Sequence, residues 1–286
     1  MALERSQMQT AIAARKDSVM QTAWKELAET LFREHPFRRD ALGTEESLGK
    51  ITRGDLVQFY DRFSVPSNMV LSVFGDIDRA EVKKDLERRL GALPPQTVSI
   101  KTFDEPRPDA SRAREIVMEK EQAAVLYGFR APTLSSPQVP AVSVAMNILS
   151  SPLGGRLFKR IRDELGKSYA LGGSYSAGVD AGMATFYTLT TNENVPKVRA
   201  IIEEELTKIS RDGVTDKELL DAKVYLKGDH ARGLETSAAQ AVASASDELL
   251  GLGYDYEKGY DARIDAVTAA DVRAAAAEYF GLDASA

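Results

Sequence analysis

Two distant stretches of the sequence carry the same pattern, a capped helix followed by aromatic residues. The first reads I-T-R-G-D-L from Ile51, and the second reads V-T-A-A-D-V from Val267. The aromatic residues are Tyr60 and Phe63 in the first stretch, and Tyr279 and Phe280 in the second. A threonine three residues before an acidic residue forms a capping box, here with aspartate in place of the usual glutamate. The pattern predicts two related units, and the alternative is a coincidence between two common helix starts.

The two helices are followed by different sequences. After the first, a turn at 64–68 leads into the apolar run Met69–Phe74, which Gly75 and Asp76 close. An apolar run of this length between turn residues predicts a β-strand. The second helix is followed by GLDASA at 281–286, without an apolar run. If the two units are related, the second therefore lacks its last strand.

A linker is predicted between the two units. The stretch 91–113 holds four of the eleven prolines and has no helical period, which is typical of a connection between domains. We therefore predict one unit at 1–98, a linker at 99–113 and a second unit at 114–286. The remaining patterns predict helices over 2–34, 78–90, 137–150, 155–165, 195–211, 215–252 and 255–280. The helix over 215–252 is expected to break near Gly228 or Gly233. A strand is predicted within 116–132, and a β-hairpin over 168–190 that turns near 179–182. This mixture predicts an α+β fold.

The composition excludes several classes of function. The chain of 286 residues has a net charge of -6 and no basic stripe, which argues against nucleic-acid binding. It contains no cysteine, so disulfides, thiolate metal sites and a cysteine nucleophile are excluded. No apolar run is long enough to predict a membrane span. The charged N-terminus is not a signal peptide, so we expect the targeting segment of an exported protein to lie outside this sequence.

Several short motifs resemble, in order and spacing, those of the insulinase-type zinc peptidases, which include pitrilysin and the mitochondrial processing peptidases. In the first unit they are His35-Pro36-Phe37, Leu42–Ser47, Ile51–Tyr60, Pro66–Leu71 and Gly75-Asp76; in the second they are Gly154–Phe158 and Arg162-x-x-x-Leu165-Gly166-x-x-Tyr169. The resemblance implies duplicated α+β domains, each an antiparallel-rich sheet with helices packed on one side. It also implies that 1–98 is the C-terminal half of the first domain, which would therefore be incomplete.

Catalysis in this family depends on zinc held by H-x-x-E-H on a helix, and this chain has no such motif. Its two histidines, His35 and His230, are expected to be ordinary surface or loop residues. The family's third zinc ligand is a later acidic residue, and the matching segment from Glu4 to Ile12 places Ala11 at that position. Alanine cannot bind a metal. We therefore predict no cofactor in this chain, with zinc held by a partner or by an absent N-terminal segment.

Two family residues of the second domain are retained, Arg162 and Tyr169. In the family, this arginine and tyrosine reach the substrate bound at the zinc. Guanidinium and phenol groups at that place would hold the peptide and stabilise the developing oxyanion. The resemblance therefore implies that Arg162 and Tyr169 bind substrate. The alternative from the residues alone is a solvated helix arginine and a tyrosine packed at the edge of a sheet.

Three functions remain open. The favoured one is the zinc-less, substrate-clamping subunit of a heteromeric metallopeptidase, inactive alone and partnered by a zinc-bearing sister subunit or by a second copy of itself. The second is a downstream fragment of a complete single-chain zinc peptidase, with H-x-x-E-H upstream. The third is a non-enzymatic scaffold or peptide-binding relative. A peptide is the expected ligand, and the periplasm is the favoured location for a bacterial member.

Overall fold

The computed structural model describes residues 1–163, 166 and 170–286. It contains two compact units. Unit 1 comprises Met1–Gly49, Thr102–Leu226 and Ile264–Ala286, and unit 2 comprises Lys50–Lys101 and Lys227–Arg263. The helices are α1 (Ala2–Arg15), α2 (Val19–Leu31), α3 (Glu45–Lys50), α4 (Arg53–Phe63), α5 (Arg79–Leu90), α6 (Val139–Ser150), α7 (Arg156–Phe158), α8 (Val195–Asp212), α9 (Asp216–Gly233), α10 (Ser237–Leu249), α11 (Tyr260–Asp265) and α12 (Ala269–Tyr279).

The sheet of unit 1 is antiparallel and has three strands in the order β1-β3-β2. These are β1 (Gln122–Ala131), β2 (Ala170–Ala177) and β3 (Gly182–Thr191). Strands β2 and β3 form the predicted hairpin, closed where the Gly178 amide donates to the Ala181 carbonyl at 2.8 Å. Gly178 is required there, because a β-carbon would lie 2.5 Å from that carbonyl oxygen. The predicted α+β fold class is confirmed.

The core of unit 1 lies between one face of this sheet and the helices α6, α8 and α12. Phe129 of β1, Phe186 of β3 and Phe280, which follows α12, meet there with ring centroids 5.4–6.2 Å apart. All three are at most 1% exposed. The opposite face of the sheet contacts α2, where Leu27 lies over Gly128. Phe280, at the aromatic end of the second copy of the repeated pattern, is therefore part of the core.

The first copy of the pattern, in unit 2, has a different environment. Both capping boxes form as predicted, at Thr52–Asp55 and at Thr268–Asp271. However, no residue of α4 is buried, and Phe59 and Tyr60 are about two-thirds exposed. The predicted strand Met69–Phe74 is wrong: the segment belongs to no sheet among the described residues. A strand needs a neighbour for its backbone hydrogen bonds, and this segment has none in that part of the chain.

Three predicted helices differ in extent. The helix over 2–34 is two helices, because Ser18 leaves the helical conformation and its hydroxyl caps α2 by accepting from the Gln21 amide. The helix over 155–165 is described only to Asp163, where the short α7 is followed by a π-helical turn over Lys159–Asp163. The helix over 255–280 is interrupted between α11 and α12 by the Thr268 cap. The predicted break of 215–252 follows Gly233, between α9 and α10.

The C-terminal tail lies along the outer edge of β1. Ala286 and Gly128 exchange two backbone hydrogen bonds, of 2.9 and 2.7 Å, and the Arg112 amide donates to the Ser285 carbonyl. The proposed family-domain boundaries at 1–98, 99–113 and 114–286 stay a prediction, as does the absence of the last strand from the second domain. No described helix is long and apolar enough to cross a membrane.

Candidate functional site

The candidate site lies on the segment from Gly155 to Asp163, in unit 1. Gly155 begins the segment in close contact with the preceding chain, since a β-carbon there would lie 2.5 Å from the Ser151 nitrogen. The segment continues as α7 and the π-helical turn, and it carries three arginines, Arg156, Arg160 and Arg162. Leu157 and Ile161 are fully buried and fix it to the core. The three arginines have different surroundings.

The contacts that Arg156 makes with described residues lie inside unit 1. Its Nε and Nη2 donate to the two carboxylate oxygens of Glu218 at 2.7 and 2.9 Å, and Nη2 also donates to the Gly213 carbonyl at 3.0 Å. This paired geometry is the strong form of an arginine–carboxylate contact. The Arg156 guanidinium lowers the pKa of Glu218 to about 2, against the opposing effect of burial. Arg156 therefore anchors the start of the segment to α9.

Arg160 anchors the π-helical turn to α8. Its Nη1 donates to Glu204 Oε2 at 2.7 Å and to Glu205 Oε1 at 2.8 Å. Glu205 is only 4% exposed, and Lys208 completes the cluster at 2.6 Å from Glu204. Lys208 and Arg160 together lower the pKa of Glu204 to about 2. The charge of Arg160 is thereby balanced by carboxylates of its own unit.

Arg162 is the exposed arginine of the segment. Its guanidinium lies 5.5 Å from the centre of the Phe158 ring, and it makes no hydrogen bond or ion pair to any described residue. A guanidinium in this setting presents several N–H donors to an incoming carbonyl or oxyanion. Tyr169, which the sequence pairs with it, lies outside the described residues. The substrate-binding roles of Arg162 and Tyr169 stay predictions.

The π-helical turn explains why two nearby arginines have opposite surroundings. Its hydrogen bonds run from i to i+5, so it has more than four residues per turn, and residues two apart lie on roughly opposite sides. Arg160 therefore faces α8 while Arg162 faces solvent, with buried Ile161 between them. Turns of this kind are frequent at functional sites. The sequence predicts an ordinary helix here, so the roles of Arg156, Arg160 and Glu205 are seen only in the structure.

The residues considered for zinc binding do not fit a metal. Ala11 is exposed on α1 and has no ligand atom. His35 lies in a loop, as one of the two expectations has it, but it is buried, with 3% of its surface exposed. Its Nδ1 accepts from the Phe37 amide at 3.1 Å, and its Nε2 lies 2.9 Å from Asp180. Both ring nitrogens are therefore occupied, and the described part of the chain contains no group of three histidine, cysteine or acidic residues suited to a metal ion.

His230 belongs to a separate polar cluster in unit 2. Its Nε2 lies 2.5 Å from Glu257 Oε2, and its ring stacks on Tyr260 with centroids 3.9 Å apart. Asp247 of α10 lies beside Glu257 and is 8% exposed, and Arg263 partly offsets the two negative charges. Burial, and then the neighbouring Glu257, raises the pKa of Asp247 to about 6. The cluster is structural, but it makes the stability of unit 2 depend on pH.

As the pH rises from 4 to 7, we expect the free energy of unfolding to fall more steeply for the wild type than for Asp247→Asn. A carboxyl whose folded pKa is above its unfolded value stabilises the fold when protonated, and that contribution is lost as the pH rises through about 6. The expected difference between the two proteins is about 2 kcal/mol. Urea unfolding at pH 4, 5.5 and 7 measures it, with Asp255→Asn as the exposed control. If the free energy of unfolding depends on pH in the same way for wild type and Asp247→Asn, the raised pKa of Asp247 is contradicted.

Comparison with known proteins identifies the family of this sequence. The family described as "Peptidase M16 inactive domain" matches residues 50–226. An uncharacterized zinc protease of Mycobacterium leprae is 29% identical over 283 residues, covering 96% of this chain and 62% of the relative. One from Bacillus subtilis is 27% identical over 224 residues, covering 78% of this chain and 54% of the relative. The chain thus spans little more than half the length of these curated relatives.

Solved structures agree on the fold. A peptidase M16 inactive domain from Pseudomonas fluorescens aligns with a TM-score of 0.86 and 21% identity, over 99% of this chain and 68% of that one. A protease from Helicobacter pylori aligns with a TM-score of 0.87 and 18% identity, over 99% and 70%. At these identities the likeness establishes the fold alone. Since the family match covers more than half of the sequence, the chain belongs to the peptidase M16 family, the insulinase-type peptidases that its motifs resemble, and it matches the inactive domain of that family.

Proposed function

We propose that this chain is the zinc-less, substrate-clamping subunit of a heteromeric peptidase, and that a sister subunit carries the zinc. The observation that supports this most directly is the exposed guanidinium of Arg162, on a segment whose other two arginines are held by carboxylates. Ala11 at the expected third-ligand position supports the absence of zinc from this chain. In this proposal Arg162 binds the carbonyl of the scissile peptide bond, and the sister subunit supplies the metal-bound water.

Complex formation tests the assignment. The chain is mixed with a family subunit from the same genome that carries H-x-x-E-H, and the mixture is separated by size. We expect a one-to-one complex whose zinc belongs to the sister subunit, so that the chain purified alone holds none. A chain that remains apart from every such subunit would contradict the proposal.

The second candidate is the downstream part of a single-chain zinc peptidase. The observation that favours it is length, since the chain covers only 62% and 54% of two relatives named as zinc proteases. The exposed apolar residues of α4 and of Met69–Phe74 would then pack against the upstream half of the same domain. The coding sequence upstream of residue 1 decides between the two, because only this candidate requires H-x-x-E-H there.

A further inference from the structure

Glu205 is the most deeply buried acidic residue that contacts the candidate site, and it does not reach the surface where a peptide would bind. It lies on α8 with 4% of its surface exposed. Its Oε1 accepts from Arg160 Nη1 at 2.8 Å and lies 3.6 Å from Lys208 Nζ. A buried carboxylate is stable only when it is paired and hydrogen-bonded. The contact with Arg160 is therefore a strong restraint on the π-helical turn.

Because Arg160 and Arg162 belong to the same turn, holding Arg160 in place also fixes the direction of Arg162. Arg160 and Arg162 are two residues apart and on opposite sides of a single π-helical turn, and only Arg160 is attached to α8. A rotation of the turn that releases Arg160 would also move Arg162 away from its outward direction. Ile161, at the centre of the turn, is buried in the core, and a further contact on the side facing α8 limits rotation about it. Arg160 makes that contact, and Glu205 is its buried carboxylate partner.

We propose that Glu205 is a positioning residue, which orients Arg162 toward substrate by holding Arg160 and the π-helical turn against α8. The inference depends on the proposed function, since it gives Glu205 a role only if Arg162 binds peptide. Glu205 itself does not contact the substrate. Glu204, the other carboxylate on the same guanidinium, is half-exposed, so water competes for its contact.

The first test measures the turn without any substrate. Hydrogen exchange of the backbone over 157–163 is compared by mass spectrometry between wild type, Glu205→Gln and the control Glu203→Gln. Glu203 lies on the same helix but accepts from Tyr127, at 2.5 Å, instead of from the segment. We expect exchange over 157–163 to be at least about tenfold faster in Glu205→Gln alone, since a neutral amide accepts more weakly than a carboxylate and local opening becomes easier when an anchoring contact is weakened. Unchanged exchange in Glu205→Gln would overturn the proposal.

The second test asks whether Glu205 acts through Arg162. Binding of a pool of fluorescein-labelled random-sequence peptides to the full chain is measured by fluorescence anisotropy for Glu205→Gln, Arg162→Ala and the double variant. We expect Glu205→Gln to weaken binding about fivefold, and to add nothing further once Arg162 is absent. Equal losses with and without Arg162 would overturn the positioning role. Arg160→Lys, which keeps the charge but loses the forked donor, replaces Glu205→Gln if that variant does not fold.

The two tests separate the possible failures. If Arg162→Ala binds the peptides as wild type does, the proposed function is wrong, whatever Glu205 does to the turn. If Arg162→Ala weakens binding but Glu205→Gln changes neither exchange nor affinity, the proposed function stands and the positioning role is wrong.

Discussion

Replacing Arg162 with alanine is expected to lower kcat/KM for peptide cleavage by the reconstituted two-subunit enzyme about 100- to 1000-fold. This corresponds to about 2.7–4 kcal/mol of transition-state stabilisation, the usual effect of removing one oxyanion donor. The proposed role of Arg162 is the reason to expect a large effect, and it agrees with a guanidinium that is exposed and makes no hydrogen bond or ion pair to a described residue. Cleavage of a quenched fluorescent peptide by the mixed subunits measures the change.

Two further variants make this prediction specific. Arg162→Lys keeps the charge but lacks the planar fork of donors, so we expect it to recover only part of the lost rate. Arg211→Ala removes an exposed arginine at the end of α8 that pairs with Asp212, and we expect it to leave the rate unchanged. If Arg162→Ala and Arg211→Ala have the same small effect, Arg162 is a surface residue with no part in catalysis.

The second large effect is expected on stability. Phe280→Ala should destabilise the chain by about 3–5 kcal/mol, since it removes a fully buried ring and leaves a cavity. The ring is 1% exposed, with centroids 5.8 Å from Phe129 and 5.4 Å from Phe186. Tyr60→Ala, at the corresponding end of the first capped helix, should change stability by no more than about 0.5 kcal/mol, because Tyr60 is 66% exposed. Urea unfolding of both variants measures the contrast.

Tyr60→Ala also tests the proposal that the first domain is incomplete. If a partner or an upstream segment supplies the remainder of that domain, Tyr60 becomes buried and its replacement becomes costly. We therefore expect Tyr60→Ala to destabilise the complex, or the full-length chain, by more than it destabilises this chain alone. A negligible effect in every context would mean that α4 is an exposed helix in the whole protein.

Features specified by neighbouring residues are predictable from the sequence. Each capping box joins a threonine to an aspartate three residues later, and both form. The β2–β3 hairpin likewise depends on a short turn at Gly178–Ala181. The Ser18 cap that divides the first helix is also local, with Gln21 three residues later, but it lies within a long helical pattern that favours continuation.

Features that depend on distant residues are not predictable in this way. Met69–Phe74 has the composition of a strand but requires a neighbouring strand, which the described chain does not provide. His35 is buried and bonded to Asp180, which follows 145 residues later. At the site, the sequence indicates Arg162 through its family motif. It does not indicate the attachment of Arg160 to Glu205, because their 45-residue separation is bridged only in the fold.

The most direct test of the account is the rate of peptide cleavage as this chain is added to a zinc-bearing sister subunit. The chain alone is expected to cleave nothing, and the sister alone to cleave slowly. Addition should raise the rate until the two are equimolar, with no further rise beyond that point. A chain that cleaves peptide alone, and loses that activity to a chelator, would contradict the account, as would a mixture no faster than the sister subunit.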